Sequence, residues 1–197
     1  MNPTRGTVED DKAVLRRKFK DLRRDFKSGE GRAAAGLLNL NLQKFLHDFN
    51  IPDVQVCLYR ARRDEAPCVL LPQERYFYPY IVGDEIDFRR PTKGSGFRTN
   101  SLNFEEPVAD GATALDFAKP IIVFCPSISI DSQGIRLGQG KGHYDRFLSR
   151  CPQALRVGVV FHVQISSRPL PVESWDQAMD WIVSEKVILR TTSTRSS

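Results

Sequence analysis

The sequence lacks the features of secreted and membrane proteins. None of its apolar runs approaches the length of a membrane span, and its first ten residues contain no apolar signal region. Only four of its 197 residues are cysteines, and because none has Cys-x-x-Cys spacing we expect reduced thiols. The three histidines have no cysteine or histidine partner at zinc-ligand spacing, which argues against a zinc site. We therefore expect a cytoplasmic protein that does not act at a membrane.

The common nucleotide-binding fingerprints are also absent, although one stretch is rich in glycine. Four of the 13 glycines fall between residues 134 and 142. A P-loop needs a glycine five residues before its Gly-Lys pair and a serine or threonine after it, but Ile135 and Gly142 occupy those positions. The dinucleotide pattern needs a third glycine where this chain has His143. Neither motif is present.

The glycine stretch nevertheless lies between a hydrophobic run at 120–126 and a helix-like segment at 144–150. Strand, glycine loop and helix in this order are typical of phosphate sites, because glycine lets backbone N–H groups converge on an anion. The alternative is a flexible turn. Arg136, Asp145 and a candidate buried lysine, Lys141, favour binding, since a loop that only turns needs neither two cations nor a carboxylate.

Length and composition predict one globular domain, at 7–189, with polar, flexible termini at 1–6 and 190–197. The net charge of +5 has three interpretations: a nucleic-acid partner, an anionic small substrate, or surface solubility. The aromatic motifs of the common RNA modules are absent. We therefore expect no nucleic-acid partner.

Alternating helical and strand patterns predict an α/β fold. Thr7 and Asp10 form a capping-box pattern, so a first helix should begin there. Its apolar face should hold Leu15, Phe19, Leu22 and Phe26, and most of its basic residues, Arg23 among them, should face solvent. A second helix should present Leu38, Leu42, Phe45 and Phe49 on one face. Strands are predicted at 54–59, 75–81, 86–89, 120–125, 155–161 and 181–185.

The glycine stretch resembles the motif of the 5-formyltetrahydrofolate cyclo-ligase family, also called methenyltetrahydrofolate synthetase. That family carries Asp-x-x-Gly-x-Arg-Leu-Gly-x-Gly-x-Gly-x-Tyr-Asp. The matching residues are Asp131, Gly134, Arg136, Leu137, Gly138, Gly140, Gly142, Tyr144 and Asp145. The resemblance extends from about Lys12 to Glu185. It implies a single three-layer α/β/α domain with a mostly parallel sheet. We also expect a monomer.

The resemblance also assigns a nucleotide site. Lys12 and Arg16 lie four residues apart and so share a helix face, for which plain solvation is the alternative. In the family such a Lys-x-x-x-Arg contacts nucleotide phosphate. Further nucleotide contacts are implied for Arg136, Gly138, Gly140, Lys141, Gly142 and Tyr144. Arg136 and Lys141 are also the candidate catalytic residues, because they would neutralise charge during phosphoryl transfer.

Magnesium and folate contacts follow from the same resemblance. Asp145 and Asp176 stand at the family's two magnesium positions. Glu65 stands where the family's glutamate contacts folate; on pattern alone, a solvated loop or a helix start is equally consistent. Tyr144 and His143 would also contact substrate, although His143 replaces a tyrosine. Cys68 replaces the threonine of the family's Asp-Glu-x-x-Thr.

The activity implied is the cyclisation of 5-formyltetrahydrofolate to 5,10-methenyltetrahydrofolate, with ATP and Mg²⁺. Phosphorylation of the formyl oxygen creates a leaving group, a neighbouring folate nitrogen attacks, and ADP and phosphate are released. The substitutions at Cys68 and His143 motivate an alternative, a diverged member that binds nucleotide or folate without this reaction.

Overall fold

The computed structural model describes residues 7–63, 65–108 and 111–192. Its helices and strands, in chain order, are α1 (Val8–Gly29), α2 (Gly31–Phe49), β1 (Gln55–Cys57), β2 (Tyr78–Val82), β3 (Glu85–Arg90), β4 (Phe97–Thr99), β5 (Glu105–Pro107), β6 (Thr113–Ala114), β7 (Ile121–Pro126), β8 (Ser129–Asp131), β9 (Arg136–Leu137), α3 (His143–Ser149), β10 (Leu155–Val159), β11 (Ile165–Ser166), β12 (Trp181–Val183) and β13 (Ile188–Arg190). Short 3₁₀ turns lie at Gln73–Arg75 and His162–Gln164.

The central sheet has the strand order β1-β7-β10-β12-β13. Its first four strands are parallel, and β13 pairs with β12 in the antiparallel sense. A parallel strand that is buried on both faces needs a continuous apolar sequence, and residues 121–125 of β7 are all buried. The predicted α/β fold with a mostly parallel sheet is confirmed.

Successive residues of β7 point to opposite faces of the sheet and join two different cores. On one face, Phe124 packs with Leu42 and Phe45 of α2. On the other face, Val123 packs with Phe147 of α3 and with Phe88 of β3. The second face is therefore shared by a seven-residue helix and an antiparallel hairpin, and the three-layer description stays a prediction.

The first helix begins as predicted. The backbone N–H of Asp10 donates to Thr7 Oγ1 at 3.2 Å, and the N–H of Thr7 donates to an Asp10 carboxylate oxygen at 2.9 Å. The predicted apolar face is wrong at one position, because Leu22 is 37% exposed. Arg23 is buried, so its predicted exposure is wrong too. At this turn the buried position therefore lies one residue further along the helix than the apolar pattern indicates, whereas Phe19 is buried as predicted.

The carboxyl-terminal strands differ from the expectation in one respect. The segment predicted as the last strand is followed by β13, which extends one residue past the domain boundary predicted at 189. Thr191 is also buried, and its hydroxyl donates to the Met179 carbonyl at 2.7 Å. Residues 1–6 and 193–197 lie outside the described part of the chain, and the single-domain organisation stays a prediction.

Candidate active site

A cleft of about 590 Å³ opens beyond the carboxyl ends of β1 and β7. In parallel sheets this edge is where ligands bind, because loops from several strands meet there. All twelve residues singled out in the sequence line it: Lys12, Arg16, Glu65, Arg136, Gly138, Gly140, Lys141, Gly142, His143, Tyr144, Asp145 and Asp176. Their convergence brings four distant segments of the chain together.

A turn braced by Asp131 leads into the glycine loop. The buried carboxylate of Asp131 accepts backbone N–H groups from Gln133 at 2.9 Å, Ile135 at 3.0 Å and Leu170 at 2.8 Å. Gly134 has a φ of +84°, and a Cβ atom there would collide with the backbone of Met179. Glycine is therefore required at this position, and the turn delivers Arg136 to the cleft.

The glycines of the loop let guanidinium groups approach its backbone. A Cβ atom at Gly138 would lie 2.8 Å from Nη1 of Arg136, and one at Gly142 would lie 2.9 Å from Nη1 of Arg146. Arg16 Nε donates to the Gly138 carbonyl at 3.1 Å. The first helix is thereby tied to the loop, as expected if both contact the same ligand.

Lys12 is buried at the base of the cleft, with only 3% of the residue exposed. Its Nζ donates to Asp176 at 2.6 Å and to Glu173 at 2.7 Å. Burial alone lowers the pKa of Lys12, but the two carboxylates outweigh it and the pKa is raised. Lys12 is therefore charged. Arg16, on the same helix face, pairs with Glu9 at 2.6 Å.

Arg136 and Asp145 form a fourth ion pair, at 2.8 Å. Asp145 Oδ1 also accepts the backbone N–H of Gln177 at 3.1 Å. The guanidinium carbon of Arg136 lies 5.6 Å from the centre of the Tyr144 ring, within cation–π range. Burial raises the pKa of Tyr144, so its phenol is neutral. This pair connects the glycine loop to the segment that carries Asp176.

The carboxylate oxygens available as ligands fit magnesium better than a metal ion that takes all its ligands from protein. Hydrogen bonds from the described residues reach only Oδ1 of Asp145 and Oδ2 of Asp176, which leaves one oxygen of each carboxylate for a ligand. Within the described ranges no group of three or more metal-ligating side chains occurs. Magnesium is typically held by one or two carboxylates, phosphate oxygens and water, and this site matches that pattern.

Lys141 is exposed, so its predicted burial is wrong. Gly140 and Gly142 on either side have φ angles of +91° and +65°, and this backbone carries the tip of the loop out towards solvent. The Lys141 carbonyl accepts from Arg146 Nη1 at 3.0 Å. The ammonium group of Lys141 therefore lies at the rim of the cleft.

Glu65 is buried, which excludes the solvated-loop interpretation. Its carboxylate accepts the backbone N–H of Arg62 at 2.9 Å, closing a short turn after β1. Cys68 is buried as well, and burial raises the pKa of its thiol to about 12. Cys68 lines a second cavity beside the cleft rather than the cleft itself. Asp64 lies outside the described residues.

His143 is half-buried at the start of α3. Burial lowers its pKa, and the nearby cations Arg146, Lys141 and Arg62 lower it further. The ring is therefore neutral at physiological pH. In this respect it resembles the uncharged tyrosine that it replaces.

The sequence patterns did not indicate several residues that line the cleft. Tyr59, Arg60 and Arg62 line the cleft directly after β1, a position that the strand-end rule for parallel sheets would have indicated. Glu9 and Glu173 carry no pattern of their own, because their importance lies in the cations that they contact. Trp175 is exposed and also lines the cleft.

Comparison with known proteins decides the family. The model of the 5-formyltetrahydrofolate cyclo-ligase family matches residues 8–185 of the chain. The chain belongs to this family. The resemblance inferred from the glycine stretch is thus confirmed.

Curated cyclo-ligases match this family member over limited segments. The 5-formyltetrahydrofolate cyclo-ligase of Mus musculus is 36% identical over 69 residues, 32% of this chain and 34% of its own length. That of Escherichia coli K12 is 32% identical over 109 residues, 54% of this chain and 59% of its own length. The chain therefore spans about a third to three-fifths of the length of these relatives.

Solved structures match more of the chain. The NMR structure of Aquifex aeolicus 5,10-methenyltetrahydrofolate synthetase has a TM-score of 0.74 and 30% identity, covering 94% of this chain and 95% of the other. A synthetase from Mycoplasma pneumoniae has a TM-score of 0.68, covering 89% and 99%; at 21% identity it supports the fold alone. None of the described helices is long and apolar enough to cross a membrane.

Proposed function

We propose that the protein catalyses the ATP- and Mg²⁺-dependent cyclisation of 5-formyltetrahydrofolate to 5,10-methenyltetrahydrofolate, releasing ADP and phosphate. One observation carries the proposal. The residues that match the family pattern, drawn from four segments, line a single cleft, and hydrogen bonds join three of those segments. We further expect a cytoplasmic monomer with no nucleic-acid partner.

The cations at one end of the cleft suit a triphosphate. Lys12 and Arg16 project from one face of α1, and Arg136 projects from the glycine loop opposite. Phosphoryl transfer depends mainly on positioning and on neutralising negative charge, which guanidinium and ammonium groups both provide. Lys141, exposed at the rim, adds a further cation.

Asp145 and Asp176 would hold magnesium through their remaining carboxylate oxygens. When bound, the ion would supply charge neutralisation to the phosphate oxygens. The protein positions both carboxylates with backbone N–H donors, from Gln177 to Asp145 and from Glu173 to Asp176. These donors remain in place if Lys12 and Arg136 turn towards phosphate.

The cleft also contains groups that suit folate. Leu102, Phe104 and Ile86 supply apolar surface, and Glu65 and His143 supply polar groups. A flat heterocycle with several hydrogen-bonding edges needs this combination. The buried position of Cys68, outside the cleft, means that its substitution for threonine leaves the lining of the cleft intact.

The reaction requires few protein groups beyond those described above. The formyl oxygen attacks the γ-phosphorus, ADP departs, and the oxygen–phosphorus bond turns the amide-like oxygen into a leaving group. The neighbouring folate nitrogen then attacks the formyl carbon, phosphate leaves with the formyl oxygen, and the nitrogen loses its proton to solvent. Arg136 and Lys141 would stabilise the charge on the transferred phosphoryl group.

The test is to mix purified protein with 5-formyltetrahydrofolate, ATP and Mg²⁺ and to record the near-ultraviolet absorbance of the methenyl product. We expect a signal that disappears when either ATP or Mg²⁺ is omitted. Folded protein that binds ATP but gives no signal would favour the alternative, a diverged member that binds these ligands without this reaction.

A further inference from the structure

Trp175 is the more exposed of the two tryptophans in the chain. It is 61% exposed and lines the cleft. Trp181, in contrast, makes edge contacts with Phe45 and Phe49 in the core, at ring-centre distances of 5.7 and 5.3 Å. An indole exposed at the wall of a cleft leaves a large apolar face in water, which a flat ligand would cover.

The two residues that follow Trp175 fix its position relative to the charged end of the cleft. The Asp176 carboxylate accepts from Lys12 Nζ at 2.6 Å, and the Gln177 backbone N–H donates to Asp145 at 3.1 Å. Trp175 is thus attached to a segment held at two points by the groups that we assign to phosphate and magnesium. Its indole lies beside that end of the cleft.

We propose that Trp175 stacks on the purine base of the nucleotide and so contributes to nucleotide affinity. This inference rests on the proposed function, because it takes the phosphate end of the cleft as given. Stacking on an indole needs only an aromatic face, and the base is tethered to the phosphates through its ribose. The pterin of folate is the competing occupant; the base is favoured because the residues next to Trp175 contact Lys12 and Asp145 directly.

The experiment measures dissociation constants for two Mg²⁺ complexes, one of ATP and one of inorganic tripolyphosphate. Tripolyphosphate retains the phosphate contacts and lacks the base. For Trp175→Ala we expect the dissociation constant for ATP to rise about tenfold, equivalent to about 1.4 kcal/mol, and that for tripolyphosphate to stay within about twofold. Trp175→Phe should restore most of the affinity for ATP, because a phenyl ring still stacks.

Val172→Ala is the matched control. Val172 lies on the same segment and is 52% exposed, but it does not line the cleft. It should leave both dissociation constants unchanged. In a second readout, ATP should quench tryptophan fluorescence in the wild type and much less in Trp175→Phe, which retains only Trp181.

Three results would overturn the inference. Equal loss of affinity for both ligands would mean that Trp175 only supports the loop. An unchanged affinity for ATP would mean that the indole does not touch the base. A raised KM for 5-formyltetrahydrofolate with unchanged ATP affinity would assign the indole to the pterin. If the wild-type protein binds no ATP at all, this inference and the proposed function both fail. If the wild-type protein turns over normally and any one of the three results is obtained, only this inference fails.

Discussion

At the scale of single residues, three cations of the cleft are already held by carboxylates. Lys12 contacts Asp176, Arg16 contacts Glu9, and Arg136 contacts Asp145. In the proposed reaction a triphosphate would displace these partners, and magnesium would bind the oxygens of Asp145 and Asp176 that accept no hydrogen bond. Nucleotide and metal should therefore bind much more tightly together than either does alone.

Asp145→Asn tests this exchange. The amide keeps the size of the side chain but loses the charge that attracts both magnesium and Arg136. We expect turnover to fall by about 100-fold or more, the upper range for damage to a metal site. The measurement is initial rate against Mg²⁺ concentration, together with circular dichroism to verify folding.

The matched control for this variant is Asp48→Asn, which removes an exposed carboxylate on α2 that pairs only with surface groups. This variant should have the same turnover rate as the wild type. Normal activity in Asp145→Asn itself would remove Asp145 from the magnesium role.

Lys141→Ala should have a smaller effect, because Lys141 is exposed at the rim. Loss of one exposed charge contact is expected to raise KM for ATP about two- to fivefold, with kcat falling less. Lys93→Ala removes an exposed lysine outside the cleft and should change neither constant. An unchanged KM for ATP in Lys141→Ala would count against a phosphate contact.

At the scale of elements, apolar periodicity predicted the long helices and buried strands well. It identified α2, whose apolar residues face the core at regular spacing, whereas β7 was identified by its continuous apolar run. It failed on α1, where Leu22 is exposed and Arg23 buried, since periodicity treats every arginine as solvated. It also missed the strands β8 and β9, which are too short to show a periodic pattern and are joined by a turn that Asp131 braces.

Gly134 shows why the turn between β8 and β9 depends on one residue. Gly134→Ala places a Cβ atom against the Met179 backbone at a φ of +84°. We expect it to lower the free energy of unfolding by about 2 kcal/mol or more, from backbone strain and the displaced neighbour. Denaturant titration measures the change.

Gly96→Ala provides the comparison for this prediction. A Cβ atom at Gly96 would meet nothing within 4 Å, and its φ is not in the left-handed region. The substitution should change stability by no more than about 0.5 kcal/mol. Equal stability of the two variants would contradict the requirement for glycine at position 134.

At the scale of the whole molecule, the sequence predicted the family, the sheet type and the residues that line the cleft. It predicted the residues because the family pattern marks them directly. It did not predict which of them are buried: Glu65 is buried and Lys141 is exposed. Burial depends on how the loops after β1 and β9 fold back, and neither loop has a periodic pattern from which this follows.

The basic surface makes a further prediction at this scale. The net charge of +5 is spread over the chain, and many basic residues of α1 are exposed. Binding to mixed oligonucleotides should therefore be weak and should vanish at moderate salt. Binding that persists at about 0.2 M salt would require a dedicated nucleic-acid site.

The carboxylate partners of the cleft cations also affect how fast a ligand arrives. Among the described residues, seven lysines and arginines but also six acidic residues line the cleft. The cleft itself therefore presents a nearly balanced local field and adds little to the attraction that the net charge exerts on an anion. The association rate constant for nucleotide should accordingly vary with ionic strength no more steeply than the net charge of the protein requires. Recognition would begin only at contact, when phosphate and carboxylate exchange partners.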